Sequence, residues 1–94
     1  QLPIHPASGE MITDIQAAAK QVLTNVKTIL EENGLSMDHV VKTTLFLKSM
    51  ADFSMVNDVY ADFFTGAPPA RSTVEVSALP KGAPLEIEAV AIRQ

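Results

Sequence analysis

The segment VVKTTLFLKS, residues 40–49, has the clearest strand pattern in this chain of 94 residues. It is rich in β-branched side chains, and an apolar set of residues alternates with a more polar set along it. A period of two with this composition is typical of a β-strand, whose successive side chains point to opposite faces. The pattern therefore predicts a strand with one apolar face. That face is expected to consist of Val41, Thr43, Leu45 and Leu47.

The sequences before and after this strand predict two amphipathic helices. Residues 14–33 place apolar side chains at three- and four-residue steps, and Gly34 is expected to end this helix. Thr13 followed by Gln16 matches a capping box at its start. A second helix is expected to begin at Asp52. Its buried stripe is expected to consist of Phe53, Val56, Tyr60, Phe63 and Phe64.

Two further alternating segments, residues 71–79 and 85–93, predict two more strands. The linker PKGAP, residues 80–84, has the composition of a hairpin connection, so these two strands are expected to pair directly. The order helix, strand, helix, strand, strand is typical of an α+β domain. We therefore expect two helices packed on one face of a mostly antiparallel sheet, in a single domain spanning residues 1–94.

The last predicted strand also indicates what happens on the other face of the sheet. Val90 and Ile92 lie on the side of that strand opposite Ile87 and Ala89. A sheet that has helices on one side and apolar residues on both sides leaves an apolar surface uncovered. The pattern therefore predicts that a second copy of the chain covers this surface.

Composition excludes several classes of protein. The chain contains no cysteine, so disulfide scaffolds and thiolate metal sites are excluded, and a reducing, cytoplasmic compartment is expected. Its net charge of −4 argues against nucleic acid as the main partner. No apolar run approaches the roughly 20 residues that span a bilayer, so no membrane partner is expected. His5 and His39 have no third ligand at a plausible spacing, so no metal site is expected.

Arg71 is the first candidate for chemistry. The segment PARS, residues 69–72, places this arginine at the start of a strand and after a helix-ending loop. Ends of sheets are common sites of function, and a guanidinium can bind a carboxylate or phosphate with two parallel hydrogen bonds. A surface salt bridge is the alternative that spacing alone leaves open.

Two carboxylates in the last predicted strand are the second candidate. Glu86 and Glu88 point to the same side of that strand, about 7 Å apart. A partly buried carboxylate is either paired or poised as a base, and the spacing leaves both roles open. If the last two strands form a hairpin, Glu86 and Arg71 can approach each other.

Three segments of the chain resemble the RidA/YjgF/UK114 family. The strongest is PARSTVEVSALPKGAPLEIEAVAIR, residues 69–93, and the others are residues 21–47 and 52–64. The resemblance implies a chorismate-mutase-like α+β fold, assembled as a homotrimer whose sheets form a barrel-like core with a cleft at each subunit interface. It implies hydrolysis of 2-imino and 2-enamino acids, such as 2-aminoacrylate and 2-iminopropionate, to 2-keto acids and ammonia. No metal or organic cofactor is implied.

The resemblance also implies roles for three residues. Arg71 matches the arginine that grips the substrate carboxylate, and Glu86 matches the glutamate that holds the attacking water. Thr73 matches a position, often cysteine in the family, whose main chain lines the same pocket. Family members usually begin upstream of Gln1 with a GPYSQA-type segment and a strand that ends in Ser-Gly. We therefore expect an N-terminal strand segment to be missing from this sequence.

Two other functions remain open. A non-catalytic trimeric module that binds small carboxylates as a metabolite sensor would need Arg71 but not Glu86. RNA cleavage or translation inhibition has been attached to some members of the family. The acidic charge and the absence of a basic patch in this sequence disfavour that third function.

Overall fold

The computed structural model describes residues 1–93, and within them two α-helices cover one face of a three-stranded sheet. This arrangement confirms the expected α+β layer of two helices on a sheet. The second and third strands end earlier than their sequence patterns predict. In chain order the elements are α1 (Ile15–Glu32), β1 (Val40–Leu47), α2 (Phe53–Phe63), β2 (Ala70–Glu75) and β3 (Leu85–Ala91).

The core lies between the sheet and the helices. β1 and β3 direct their apolar faces towards α1 and α2, and the side chains in this layer are almost completely removed from solvent. Burial of one Leu, Ile or Val side chain contributes about 1.5–3 kcal/mol, so this layer is the main source of the fold's stability. The largest fully buried apolar side chains are Leu23, Leu45, Leu47, Leu85, Ile87, Val22 and Val56.

The sheet is mixed, and its strand order β2-β1-β3 contradicts the expected hairpin. β2 runs parallel to β1, and β3 runs antiparallel to it on the other edge. The connection between β2 and β3 therefore passes the end of β1, where the Val76 N–H donates to Leu47 O and the Lys48 N–H donates to Pro84 O. β1 and β2 are joined by α2, and a helical crossover of this kind is the usual connection between two parallel neighbouring strands.

A β-bulge between Val40 and Lys42 corrects the predicted apolar face of β1. The sequence pattern assigned Val41 to the buried side, but Val41 is 42% exposed and Val40 is 5% exposed. The extra residue at the bulge shifts the alternation by one position, as bulges do. From Thr43 onwards the predicted face is buried as expected.

The start of α1 also differs from the prediction by one residue. Asp14, and not Thr13, is the N-cap, and its carboxylate accepts a hydrogen bond of 3.0 Å from the Ala17 N–H. Asp is as effective a cap as Thr, and a negative charge at this position also interacts favourably with the helix dipole. Gly34 has a φ of +72°, which confirms its predicted role in ending the helix.

The first residues of the chain run beside the outer edge of β3. Gln1 and Ile87 exchange two backbone hydrogen bonds, of 2.7 and 3.1 Å. Asn25 of α1 holds the same segment by donating to the carbonyl oxygens of Leu2 and Ile4. That a strand segment belongs before Gln1 stays a prediction.

Lys81 provides a test of the connection between β2 and β3. Its φ of +58° lies in the left-handed region, where a Cβ atom is strained. We expect Lys81→Gly to raise the free energy of unfolding by about 0.5–1 kcal/mol, because relief of this strain exceeds the entropy that glycine adds to the unfolded chain. Urea unfolding at one protein concentration measures the change. Lys81→Ala keeps the Cβ atom and is the control, so equal stability of the two variants would contradict the prediction.

Candidate functional site

Arg71 lies at the edge of the sheet, on its helix-covered side. It is the second residue of β2 and is paired with Thr43 of β1. Its guanidinium carbon lies 4.8 Å from the centroid of the Tyr60 ring and 5.3 Å from that of Phe53. Its Nη1 donates a hydrogen bond of 2.6 Å to Oδ1 of Asn57. All of these partners are neutral, so they orient the cation without neutralising its charge.

A groove of about 550 Å³ lies beside this guanidinium. Asn57 and Arg71 form its polar part, and Phe64 and Pro68 belong to its apolar part. Small-molecule sites commonly combine an apolar lining with a few fixed polar groups. The arrangement suits a small anion whose carboxylate contacts Arg71 and whose carbon chain lies against the apolar side.

The α2 residues that contact Arg71 are not among the site residues predicted from the sequence. Tyr60 was assigned only to the core stripe, and Asn57 was not singled out. Phe53, Asn57, Tyr60 and Phe64 follow one another at steps of three and four residues, which places them on one face of a helix. This spacing was a signal in the sequence, but the parallel pairing that brings Arg71 over that face was not visible there.

Thr73 lies two residues beyond Arg71 on the same strand. Its side chain is half-buried on the helix side, opposite Leu45. The Val76 N–H points towards β1, and alternation along the strand directs the N–H and C=O groups of Thr73 the other way, towards the outer edge of β2. The main chain of Thr73 therefore faces outward, as a main-chain contact to a ligand requires.

Glu86 lies on the opposite, helix-free face of the sheet. It is half-buried and paired with Phe46, and the exposed Glu88 follows on the same face, as predicted. Arg71 and Ala89 are both paired with the same residue of β1, on its two sides, and Ala89 is three residues from Glu86 along β3. Two strand spacings and this offset separate the Cα atoms of Arg71 and Glu86 by about 14 Å. A single chain therefore does not bring the two side chains together, which contradicts the approach expected from a hairpin.

The helix-free face is partly apolar, as the sequence pattern predicts. Val74 is 42% exposed there, and Val90 is 54% exposed, as is Ile92 just beyond β3. The same face carries Lys42, whose Nζ donates to the Thr43 carbonyl at 2.8 Å and to the Ser72 hydroxyl at 3.1 Å. An apolar strip beside satisfied polar groups is the kind of surface that another protein chain covers.

Neither histidine approaches a metal-binding arrangement. Nδ1 of His5 accepts a hydrogen bond from the Ala7 N–H, and Nδ1 of His39 accepts one from the Ser36 N–H. Residues 1–93 contain no group of three or more His, Cys, Asp or Glu side chains placed to hold a metal ion. In the same range, neither helix has the length and apolar character that crossing a bilayer would require.

Known proteins of similar sequence and structure share these features to the extent given by the following matches. The family model described as endoribonuclease L-PSP matches residues 1–93. The chain is 48% identical over 97 residues to the 2-iminobutanoate/2-iminopropanoate deaminase of Escherichia coli, covering 100% of this chain and 76% of that protein. It is 50% identical to protein DfrA of Myxococcus xanthus, covering 98% and 71% of the two chains. The structure of E. coli TdcF with bound serine superposes with a TM-score of 0.96 at 42% identity, covering 100% and 76%.

Removal of the Arg71 side chain tests the contacts at this site. We expect Arg71→Ala to lower the free energy of unfolding by about 1 kcal/mol, because it removes an exposed stacking contact and one hydrogen bond. Asn57→Ala removes only the hydrogen bond and should cost less. Thermal and urea unfolding measure both changes. An Arg71→Ala variant as stable as the parent chain would show that the guanidinium does not rest on these rings in solution.

Proposed function

The chain belongs to the RidA/YjgF family, described as endoribonuclease L-PSP, and on that basis we propose that it hydrolyses reactive 2-imino and 2-enamino acids to 2-keto acids and ammonia. The observation that carries the proposal is the Arg71 guanidinium, held by neutral partners beside a groove of small-molecule size. A relative at 48% identity that is named as a deaminase supports it, as does the bound serine of TdcF.

Arg71 would bind the carboxylate of the substrate. Two parallel hydrogen bonds from its planar fork fix the carboxylate and therefore the position of the adjacent C2 atom. The partly apolar groove would accommodate the substrate side chain, which begins at C3. The outward main chain of Thr73 lies two residues away along the strand and would line the same pocket.

Glu86 would supply the attacking water. A protonated imine is already electrophilic, so a carboxylate that orients water and accepts one of its protons provides the remaining assistance. The water oxygen bonds to C2 and forms a tetrahedral carbinolamine. Glu86 returns the proton to the nitrogen, the C–N bond breaks and ammonia leaves, and the C2 carbonyl forms as the hydroxyl gives its proton to the Glu86 carboxylate, which passes it to solvent. A 2-enamino acid enters the same sequence after C3 takes a proton from solvent and the protonated imine forms. The overall change is imino acid plus water to keto acid plus ammonia.

This chemistry requires two copies of the chain. Arg71 and Glu86 lie on opposite faces of one sheet, so a site with both residues takes Arg71 from one subunit and Glu86 from its neighbour. The outward main chain of β2 and the exposed Val74 and Val90 are suitable for contact with that neighbour. A homotrimer with three such clefts, expected from the family resemblance, satisfies this requirement.

The first test of the proposal is turnover. 2-Aminoacrylate is generated with a serine dehydratase, and pyruvate release is followed with and without this protein. Arg71→Ala is expected to lower kcat/KM by about 100-fold, because it removes charge-assisted hydrogen bonds. Glu86→Gln is expected to lower kcat by about 100-fold or more, because it removes the base. Glu88→Gln, on the same face, is the matched control and should retain full activity. Equal acceleration by Arg71→Ala would refute the proposal.

Mixing two inactive variants tests whether the site is shared. Arg71→Ala and Glu86→Gln chains are unfolded together and refolded at equal amounts. Random assembly pairs an intact Arg71 with the intact Glu86 of its neighbour at about one quarter of the interfaces, so about a quarter of the parent activity should return. No recovery, in mixtures shown by mass spectrometry to contain both variants, would place both residues of each site in one chain.

The same variants separate the alternative functions. A metabolite-sensing module predicts that pyruvate binds, that Glu86→Gln leaves its affinity unchanged, and that the parent protein has no turnover. A ribonuclease or translation inhibitor predicts RNA binding that weakens steeply with salt. Deamination with loss of turnover in Glu86→Gln distinguishes the proposed function from both.

A further inference from the structure

Thr43 is the one buried polar side chain in the core of residues 1–93. It is 1% exposed, in the middle of β1, and its partners in the neighbouring strands are Arg71 and Ala89. A hydroxyl in this position is costly unless it has a hydrogen-bond partner. Its partner is the hydroxyl of Tyr60, at 2.8 Å, and Tyr60 is itself 5% exposed. The core therefore contains one isolated hydroxyl pair where two apolar side chains would fill the space without a polar group.

This pair lies beside the cation of the proposed site. Thr43 is the partner of Arg71 in the β1–β2 ladder, so the hydroxyl pair and the arginine occupy the same level of the sheet. Tyr60 is hydrogen-bonded to Thr43 at its hydroxyl end, and its ring face contacts the Arg71 guanidinium. One side chain thus connects the buried threonine to the surface cation.

Two contacts fix the orientation of the Tyr60 ring. The hydrogen bond to Thr43 fixes the position of the Tyr60 hydroxyl, at one end of the long axis of the ring. The Phe64 ring, with its centroid 4.5 Å away and tilted by 36°, restricts rotation about that axis. A ring held by both contacts presents a fixed face to the Arg71 guanidinium. The hydrogen bond from Arg71 to Asn57 then fixes the direction of the guanidinium.

From this geometry we infer that Thr43 and Tyr60 are positioning residues that orient Arg71 before the substrate carboxylate arrives. The inference rests on the proposed carboxylate-binding role of Arg71. Ordering a long side chain in advance removes an entropic cost from binding, so its loss weakens affinity. Both residues are buried, and the two hydroxyls are hydrogen-bonded to each other. The pair should therefore affect KM and the affinity for the product, and it should leave kcat unchanged.

A set of three variants separates positioning from simple packing. Thr43→Val and Tyr60→Phe each leave one buried hydroxyl without its partner, and both should lower stability. The double variant removes both hydroxyls and should recover stability. If the pair positions Arg71, KM for 2-aminoacrylate rises about 3- to 10-fold in the double variant although its Tm has recovered. If the pair only fills the core, KM in the double variant equals that of the parent, and the inference is overturned.

Tyr60 is also a spectroscopic probe of its own environment. It is the only tyrosine, and the chain contains no tryptophan, so the ultraviolet emission of the protein reports on this ring. We expect pyruvate to change that emission in the parent and to leave it unchanged in Arg71→Ala. In Thr43→Val the midpoint of the titration should shift about 3- to 10-fold to higher pyruvate concentration. Thr44→Val, the same change on the helix-free face, is the control and should keep the parent midpoint.

The titration does not depend on turnover, so the two proposals fail separately. If the parent protein binds pyruvate with the expected dependence on Thr43 but does not hydrolyse 2-aminoacrylate, the positioning role stands and the deaminase function fails. If the parent hydrolyses 2-aminoacrylate and Thr43→Val binds pyruvate with the parent midpoint, the deaminase function stands and the positioning role fails.

Discussion

The register of β1 against its two neighbours is the constraint on which the rest of the structure depends. Each residue of β2 and β3 takes the face of the β1 residue it is paired with, so Arg71 opposite Thr43 lies on the helix side and Glu86 opposite Phe46 lies on the free side. A shift of one residue in either ladder would reverse these assignments. The burial of Ile87 on the helix side of β3 opposes such a shift, because the shift would expose it.

The two layers of the fold contribute different parts of the candidate site. The sheet places Arg71 at its edge. Helix α2 provides the Phe53 and Tyr60 rings and the Asn57 side-chain amide, which orient the guanidinium. Because these partners carry no charge, the positive charge of Arg71 remains available to an anion. The carboxylate of Glu86 belongs to the other face of the sheet, so the proposed chemistry is a property of an assembly and not of one chain.

Much of the fold was predictable from local patterns. The two helices and three strands follow from residue periodicity, and Gly34 ends α1 as predicted, because each signal lies within one segment. The cap at Asp14 and the bulge at Val41 were missed. Both are decided by competition between neighbouring residues for one position, which periodicity does not resolve. Arg71 was predicted as a site residue from its own segment, whereas the role of Asn57 depends on its hydrogen bond to Arg71, which only the structure shows.

The sequence by itself determined which segments are helical or extended, which faces are apolar away from the bulge at Val41, and which residues match the family signature. Those properties depend on side chains a few positions apart. Only the tertiary structure decided that β1 lies between β2 and β3, and therefore that Arg71 rests on Tyr60 and is separated from Glu86 by the sheet. Strand order depends on which pairing buries the most apolar surface between distant segments, and that balance is not encoded in any one of them.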